Sequence, residues 1–159
     1  PQIAINQAII ELSSAPVFVG VGGGITTGQR SLDIAISAEL YGAYGVVMNA
    51  PTKNELIFKM KERLDIPIII TIVSEKEDFE SRIKAGASIF NVSGGAGTAN
   101  IVRQIREKHP NFPIIATGGP TPESITETIK AGANTITYTP PTTGELFSEI
   151  MDNYRDRIS

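Results

Sequence analysis

The strongest constraint on this chain is a repeat: a short apolar run followed by a helical pattern recurs at intervals of roughly 21 to 28 residues, one supersecondary unit used again and again. The runs fall at 17–21, 46–49, 66–73, 88–92, 112–116 and 135–138, each apolar or β-branched at nearly every position. Strands that read this way are buried on both faces, as a parallel sheet covered by helices requires. Between them lie amphipathic stripes such as Leu56, Ile57, Met60 and Leu64 within 53–64, and Ile101, Val102 and Ile105. Strict alternation of the two patterns predicts an α/β fold in a single domain, 1–159. Glycines punctuate it: Gly42, Gly86 and Gly132 each stand where a helix must end in a left-handed residue before the next strand. Pro16, Pro67 and Pro113 open strands, since proline cannot continue a helix there. The chain begins with a helical stripe in 2–13 (Ile5, Ile9, Leu12) and ends with one in 144–157 (Leu146, Phe147, Ile150, Met151), so the count is one helix followed by about six strand-helix units.

Two architectures can be built from these parts. One is an open, doubly wound sheet with helices on both faces. The other is a (β/α) barrel, whose complete form takes eight units and about 250 residues, against 159 here. Bulk properties exclude several functions. A net charge of −3 with 6% aromatics offers no basic surface for nucleic acid. There is no cysteine, which removes disulfides, thiolate catalysis and thiolate metal sites. With neither a long apolar run nor a charged-then-apolar leader, no membrane partner is expected and the expected location is the cytoplasm.

The last third carries the most specific signal. Pro113 to Glu123, reading PIIATGGPTPE, followed by IKAGAN at 129–134, resembles the penultimate strand, loop, helix and final strand of the phosphate-binding TIM barrels. Independently of any family, glycines after a strand let backbone amides approach an anion, and the next helix presents its positive end. Aligned from that anchor, the pattern is most similar to the 2-keto-3-deoxy-6-phosphogluconate aldolases. The resemblance implies a TIM-type barrel with about six of eight units present, strands three to eight, with Pro1 the cut end of a longer chain and homo-oligomers as the assembly. It also implies a Schiff-base lysine on the strand corresponding to 88–92. That strand has none, and every lysine from Lys53 to Lys130 falls on a helical or connecting segment, so a class I aldolase mechanism is not expected. Gly20 to Gly23 with Thr26 and Thr27 invite comparison with the dihydrodipicolinate synthases, whose lysine is likewise missing here.

In a barrel the working residues lie at the C-terminal ends of the strands. Those ends are polar and uncharged: Gly22, Gly23 and Gly24 with Thr26 and Thr27, then Asn49, Thr71 with Ser74, Asn91 with Ser93, Thr117, and Thr137 with Thr139. Ser93, Gly94, Gly95, Thr117, Gly118 and Gly119 are the expected phosphate site, with the backbone of Ser93 and the four glycines as donors. Gly22, Gly23, Thr26, Thr71 and Thr139 are the other expected ligand-facing residues. The catalytic group is expected either from the segment missing before Pro1 or from a polar set around Asn49 and Asn91. Arg30 is the one nearby cation to consider. No cofactor is expected, nor a metal: His109, the single histidine, falls in a loop at the opposite end. Glu75, Glu77 and Asp78 are expected to open a helix, and Tyr138 to pack in the core of the last strand. The expected partner is a small phosphorylated molecule, and the expected function is an aldolase-like lyase or isomerase acting on a phosphorylated sugar or keto acid. The alternative is a barrel that binds such a metabolite for regulation without turning it over.

Overall fold

A computed structural model describes residues 3–119, 121–139 and 141–158. Pro1, the expected cut end, lies outside them, as do Gln2 at the head of the first predicted helix and Pro120 within the glycine motif. A leading helix α1 (Ile3–Leu12) is followed by β1 (Phe18–Gly22), α2 (Gln29–Leu40), β2 (Gly45–Met48), α3 (Asn54–Lys61), β3 (Ile68–Ile72), α4 (Phe79–Ala85), β4 (Ile89–Val92), a 3-10 turn at Gly95–Gly97, α5 (Thr98–Lys108), β5 (Ile114–Thr117), α6 (Pro122–Lys130), β6 (Thr135–Thr137) and α7 (Thr143–Ile158). One helix and six strand-helix units are thus present, in the expected order.

All strand pairs are parallel and the sheet order is β1-β2-β3-β4-β5-β6. A doubly wound sheet reverses direction at a switch point. An order that never reverses is the sequence of a barrel wall, here with six strands.

The register sorts the side chains onto two faces, because neighbours in a parallel pair point the same way. Ile70 aligns with Phe90 and Phe90 with Ile114; Ile72 aligns with Val92, Ala116 and Ile136 in turn. These meet the helices and, with Leu32, Ile57, Met60, Ile101, Val102 and Ile105, form one buried cluster. Phe90 anchors it, its ring centroid 4.5 Å from that of Phe112 and 6.1 Å from that of Phe79. Ile69 is also fully buried but points to the other face and stands outside the cluster. Its row, Val47, Ile69 and Ile89, lines the concave side of the sheet.

The predicted caps hold: Gly42, Gly86 and Gly132 all have positive φ. Several bounds shift. The third strand is shorter than 66–73, since Pro67 has no N–H for the ladder and Val73 is exposed. Helix α3 ends at Lys61, and Leu64 reaches the core through a turn instead. Tyr138 is a correction: it lies past the end of β6 and is 71% exposed. β6 is a three-residue edge strand of which only Ile136 packs against the core, so a residue beyond its end has no buried layer to join. The same holds for α7, whose Leu146, Phe147, Ile150 and Tyr154 are exposed.

Candidate functional site

The loops after the strands gather at the C-terminal edge of the sheet, and the concave face beneath them carries two polar rows. Thr71 aligns with Asn91, Asn91 with Ile115, and Ile115 with Thr135. Two residues further along the strands, Thr117 aligns with Thr137, and Ser93 follows Val92, which aligns with Ala116. Asn91 Nδ2 donates to Thr71 Oγ1 at 3.3 Å. That bond leaves the Thr71 hydroxyl hydrogen, the second amide hydrogen of Asn91 and Asn91 Oδ1 for a ligand. The two residues are far apart in the chain, and only the register makes them a pair. Met48 aligns with Ile70, so Asn49 and Thr71 stand one step beyond them on neighbouring strands.

The first glycine loop is tightly stapled. Gly23 N donates to Thr26 O at 2.8 Å and Asn49 N to Gly22 O at 2.8 Å. Ser31 Oγ donates to Thr26 O at 3.0 Å, and Thr52 Oγ1 to Asn49 O at 2.7 Å. Both hydroxyls are buried. Gly23 cannot carry a side chain: its φ is +96°, and a Cβ would lie 2.1 Å from Thr52 Oγ1. The loop borders a cavity of about 510 Å³ lined by Gly20, Gly22, Gly24, Ile25, Thr26, Val47 and Asn49. This brings together two of the expected ligand-facing positions, Gly22 and Thr26, with Asn49, a candidate for chemistry. Gly23 faces the other way, toward α2 and α3. Ser31 and Thr52 escaped the sequence reading, because nothing in their spacing distinguishes a loop staple from an ordinary helix residue.

At the late strands the expected phosphate site is narrower than the motif suggested. Ser93 N donates to Ile72 O at 2.8 Å, Gly94 N to Thr98 Oγ1 at 3.1 Å, and Gly118 N to Thr137 O at 3.3 Å. These three amides are spent on the fold. Two of those glycines are packing residues, since a Cβ on Gly94 would lie 2.4 Å from Ile101 Cδ1 and one on Gly118 2.7 Å from both Ile125 and Ile136. Among the described residues the Gly95 and Gly119 amides have no partner, so they are the donors that remain. The start of α6 is also closed: Thr121 Oγ1 accepts from Ser124 N at 3.2 Å, and Ser124 Oγ accepts from Thr121 N at 3.2 Å. Glu123 in its first turn adds a negative charge. The positive end of this helix is therefore already compensated by the chain itself. Thr117 is half-buried at the end of β5, and Thr139 is exposed beyond β6.

The charged candidates lie elsewhere. Arg30 is exposed in the first turn of α2. Of the three acids expected to open a helix, only Asp78 caps α4, accepting from Ser81 N at 3.1 Å. Glu75 instead holds Gln104 at 2.9 Å as well as Asn100. Glu77 pairs with Arg82 at 2.7 Å, both side chains largely buried. His109 ends α5 and faces Glu80 across 3.3 Å. All lysines sit on helices or connecting segments. Among the described residues no three acidic or histidine side chains are grouped so as to hold a metal ion, and no helix is long and apolar enough to cross a membrane.

No protein-family model matches the sequence, and no curated protein matches it at a significant level. Solved structures do. The chain superposes on 2,3-dimethylmalate lyase, a member of the PEP mutase/isocitrate lyase superfamily, with a TM-score of 0.67 at 15% identity, covering 98% of this chain and 66% of that one. With dihydrodipicolinate synthase from Bacillus anthracis the TM-score is 0.65 at 15% identity, over 97% of this chain and 57% of that one. With the aldolase QR15 it is 0.69 at 17% identity, over 84% and 73%. The chain therefore spans between 57% and 73% of the length of these three structures. Likeness at this level establishes the TIM-barrel type of fold, in agreement with the strand order.

Proposed function

We propose that the strand-end face binds a small phosphorylated sugar or keto acid and that the protein is an aldolase-like lyase or isomerase. The observation that carries this reading is the Asn91–Thr71 pair on the concave face: two neutral groups, already oriented toward one another, with donors to spare for a carbonyl or enolate oxygen. The Gly95 and Gly119 amides supply the phosphate end, and Asn49 with the cavity beside Thr26 supplies room for the carbon skeleton. The lyases and the aldolase among the structural neighbours support this chemistry class by analogy of fold. A Schiff base on this chain's own strands is excluded from the proposal, because β4 carries Ile89, Phe90, Asn91 and Val92 and no amine.

A second reading has its own support. The strand ends carry Asn49, Thr71, Asn91, Ser93, Thr117 and Thr137, neutral groups that suit binding as well as turnover, as a barrel holding the same ligand class for regulation would require. Crystals soaked with phosphate, followed by turnover assays on phospho-keto acids and phospho-sugars, test both. An anion on the Gly95 and Gly119 amides together with turnover lost in Asn91→Ala supports the enzyme. Binding without turnover across the panel supports the regulatory barrel, and an empty face refutes both. We also propose self-association, because β1 and β6 are unpaired sheet edges. Sedimentation velocity at two protein concentrations checks it, and a single monomeric species at both would refute it.

A further inference from the structure

A second cavity, of about 360 Å³, lies on the opposite side of the Gly22 to Gly28 loop, between α2 and α3. It is lined by other residues than the strand-end cavity, from which the loop divides it, and does not rest on the function proposed for that cavity. Its size falls in the range of small-molecule sites, roughly 300 to 1,000 Å³. One part of its lining is apolar, with Leu32, Leu56 and Pro51; the other is polar, with Thr27, Lys53 and Lys59.

The lysines distinguish this cavity from a gap between helices. Neither Lys53 nor Lys59 forms an ion pair with any described residue, although Glu55 lines the same cavity. Here two positive charges and one negative leave a net charge of one on the wall, next to an apolar floor. Thr27 adds a hydroxyl that can donate to a carboxylate, while Gln29 Nε2 already donates to Asp33 at 2.8 Å.

From this arrangement we infer that the cavity between α2 and α3 binds a small organic monoanion, a carboxylate on an apolar body. The single net charge matches a carboxylate better than a phosphate dianion, and the Leu32, Leu56 and Pro51 surface favours a carbon skeleton over a bare ion. The wall is also shared: Gly22, Gly24 and Thr26 line the strand-end cavity on one side of the loop, while Gly23 and Thr27 line this one on the other.

The test titrates the isotope-labelled 159-residue chain with sodium benzoate and follows backbone amide resonances. Benzamide serves as a neutral match in shape and inorganic phosphate as an anion without a body. Benzoate is expected to shift Thr27, Gln29 and Lys53 saturably, with benzamide and phosphate leaving them in place. The Lys53→Gln/Lys59→Gln double variant, both positions being exposed, is expected to weaken benzoate at least tenfold with an unchanged melting temperature. The inference is overturned by the absence of saturable shifts, by shifts centred on Asn49 and Asn91, by equal binding of benzamide or phosphate, or by a double variant that binds as well as the parent.

Discussion

Arg82 does more for this molecule than any charged residue the sequence singles out. Its guanidinium donates to Glu77 Oε1 at 2.7 and 3.2 Å, to Asn54 Oδ1 at 2.8 Å, to the Ala50 carbonyl at 3.0 Å and to the Thr52 carbonyl, tying the loop after β2 to α4. Arg82→Ala strands a largely buried Glu77 and two carbonyls, and removing one member of a buried pair costs about 3 kcal/mol. Urea denaturation measures this; a loss under about 1 kcal/mol would mean that packing alone holds the loop. Gly23 is the backbone counterpart. Gly23→Ala places a side chain at φ +96° against Thr52 Oγ1, and roughly 1 to 3 kcal/mol of lost stability is expected for such a conformation, read as a lower melting temperature. Neither role is legible in the sequence. An arginine within a helix and a glycine after a strand are ordinary there, and only the folded loop shows what each one touches.

Among the elements, α7 owes its start to a local device. Thr142 N donates to Glu145 Oε2 at 2.6 Å and Thr142 Oγ1 donates to the same oxygen at 2.7 Å, while Glu145 N donates back to Thr142 Oγ1 at 3.2 Å. The backbone bond from Thr142, then the hydroxyl bond, hold the Glu145 carboxyl below the usual glutamate range. A carboxyl depressed in the folded state stabilises above its unfolded value, and that contribution is lost as pH falls through the depressed one. The α7 amides nearest the cap are therefore expected to loosen only below the ordinary glutamate range, and Glu145→Gln to abolish that transition, as followed by NMR titration. In α6, Thr121→Ala removes an analogous cap and is expected to cost about 1 kcal/mol, measured by thermal unfolding. Neither cap was singled out from the sequence, although a threonine three residues before a glutamate or serine is a local signal. The closing of α6 against an anion has no such signal, because it depends on which hydroxyl answers which amide.

The molecule as a whole stands on one face of its sheet. Ile70, fully buried between the sheet and its helices, contrasts with Ile150 on α7, which is 62% exposed. Ile70→Ala is expected to cost about 2 to 5 kcal/mol, and Ile150→Gln to change stability by less than about 0.5 kcal/mol; chemical denaturation of the two variants side by side decides. A large loss at Ile150 would mean that α7 is packed in solution against something that these contacts do not contain.

The alternation of apolar runs with helical stripes determined, without any structure, that this chain forms six parallel strands and the helices between them, because periodicity and capping act over a few residues. The resemblance of the 113–134 stretch to phosphate-binding barrels pointed to a TIM-type barrel, and the strand order agrees with that coarser fold. What a pattern along the chain cannot contain is pairing across it. Register placed Asn91 beside Thr71, and loop folding spent the amides of Ser93, Gly94 and Gly118 on internal bonds. The short edge strand β6 left Tyr138 outside the core, where its apolar sequence had predicted it would be buried. Those outcomes belong to tertiary structure, since each is a contact between residues many positions apart whose energy exists only once both have been brought to the same place.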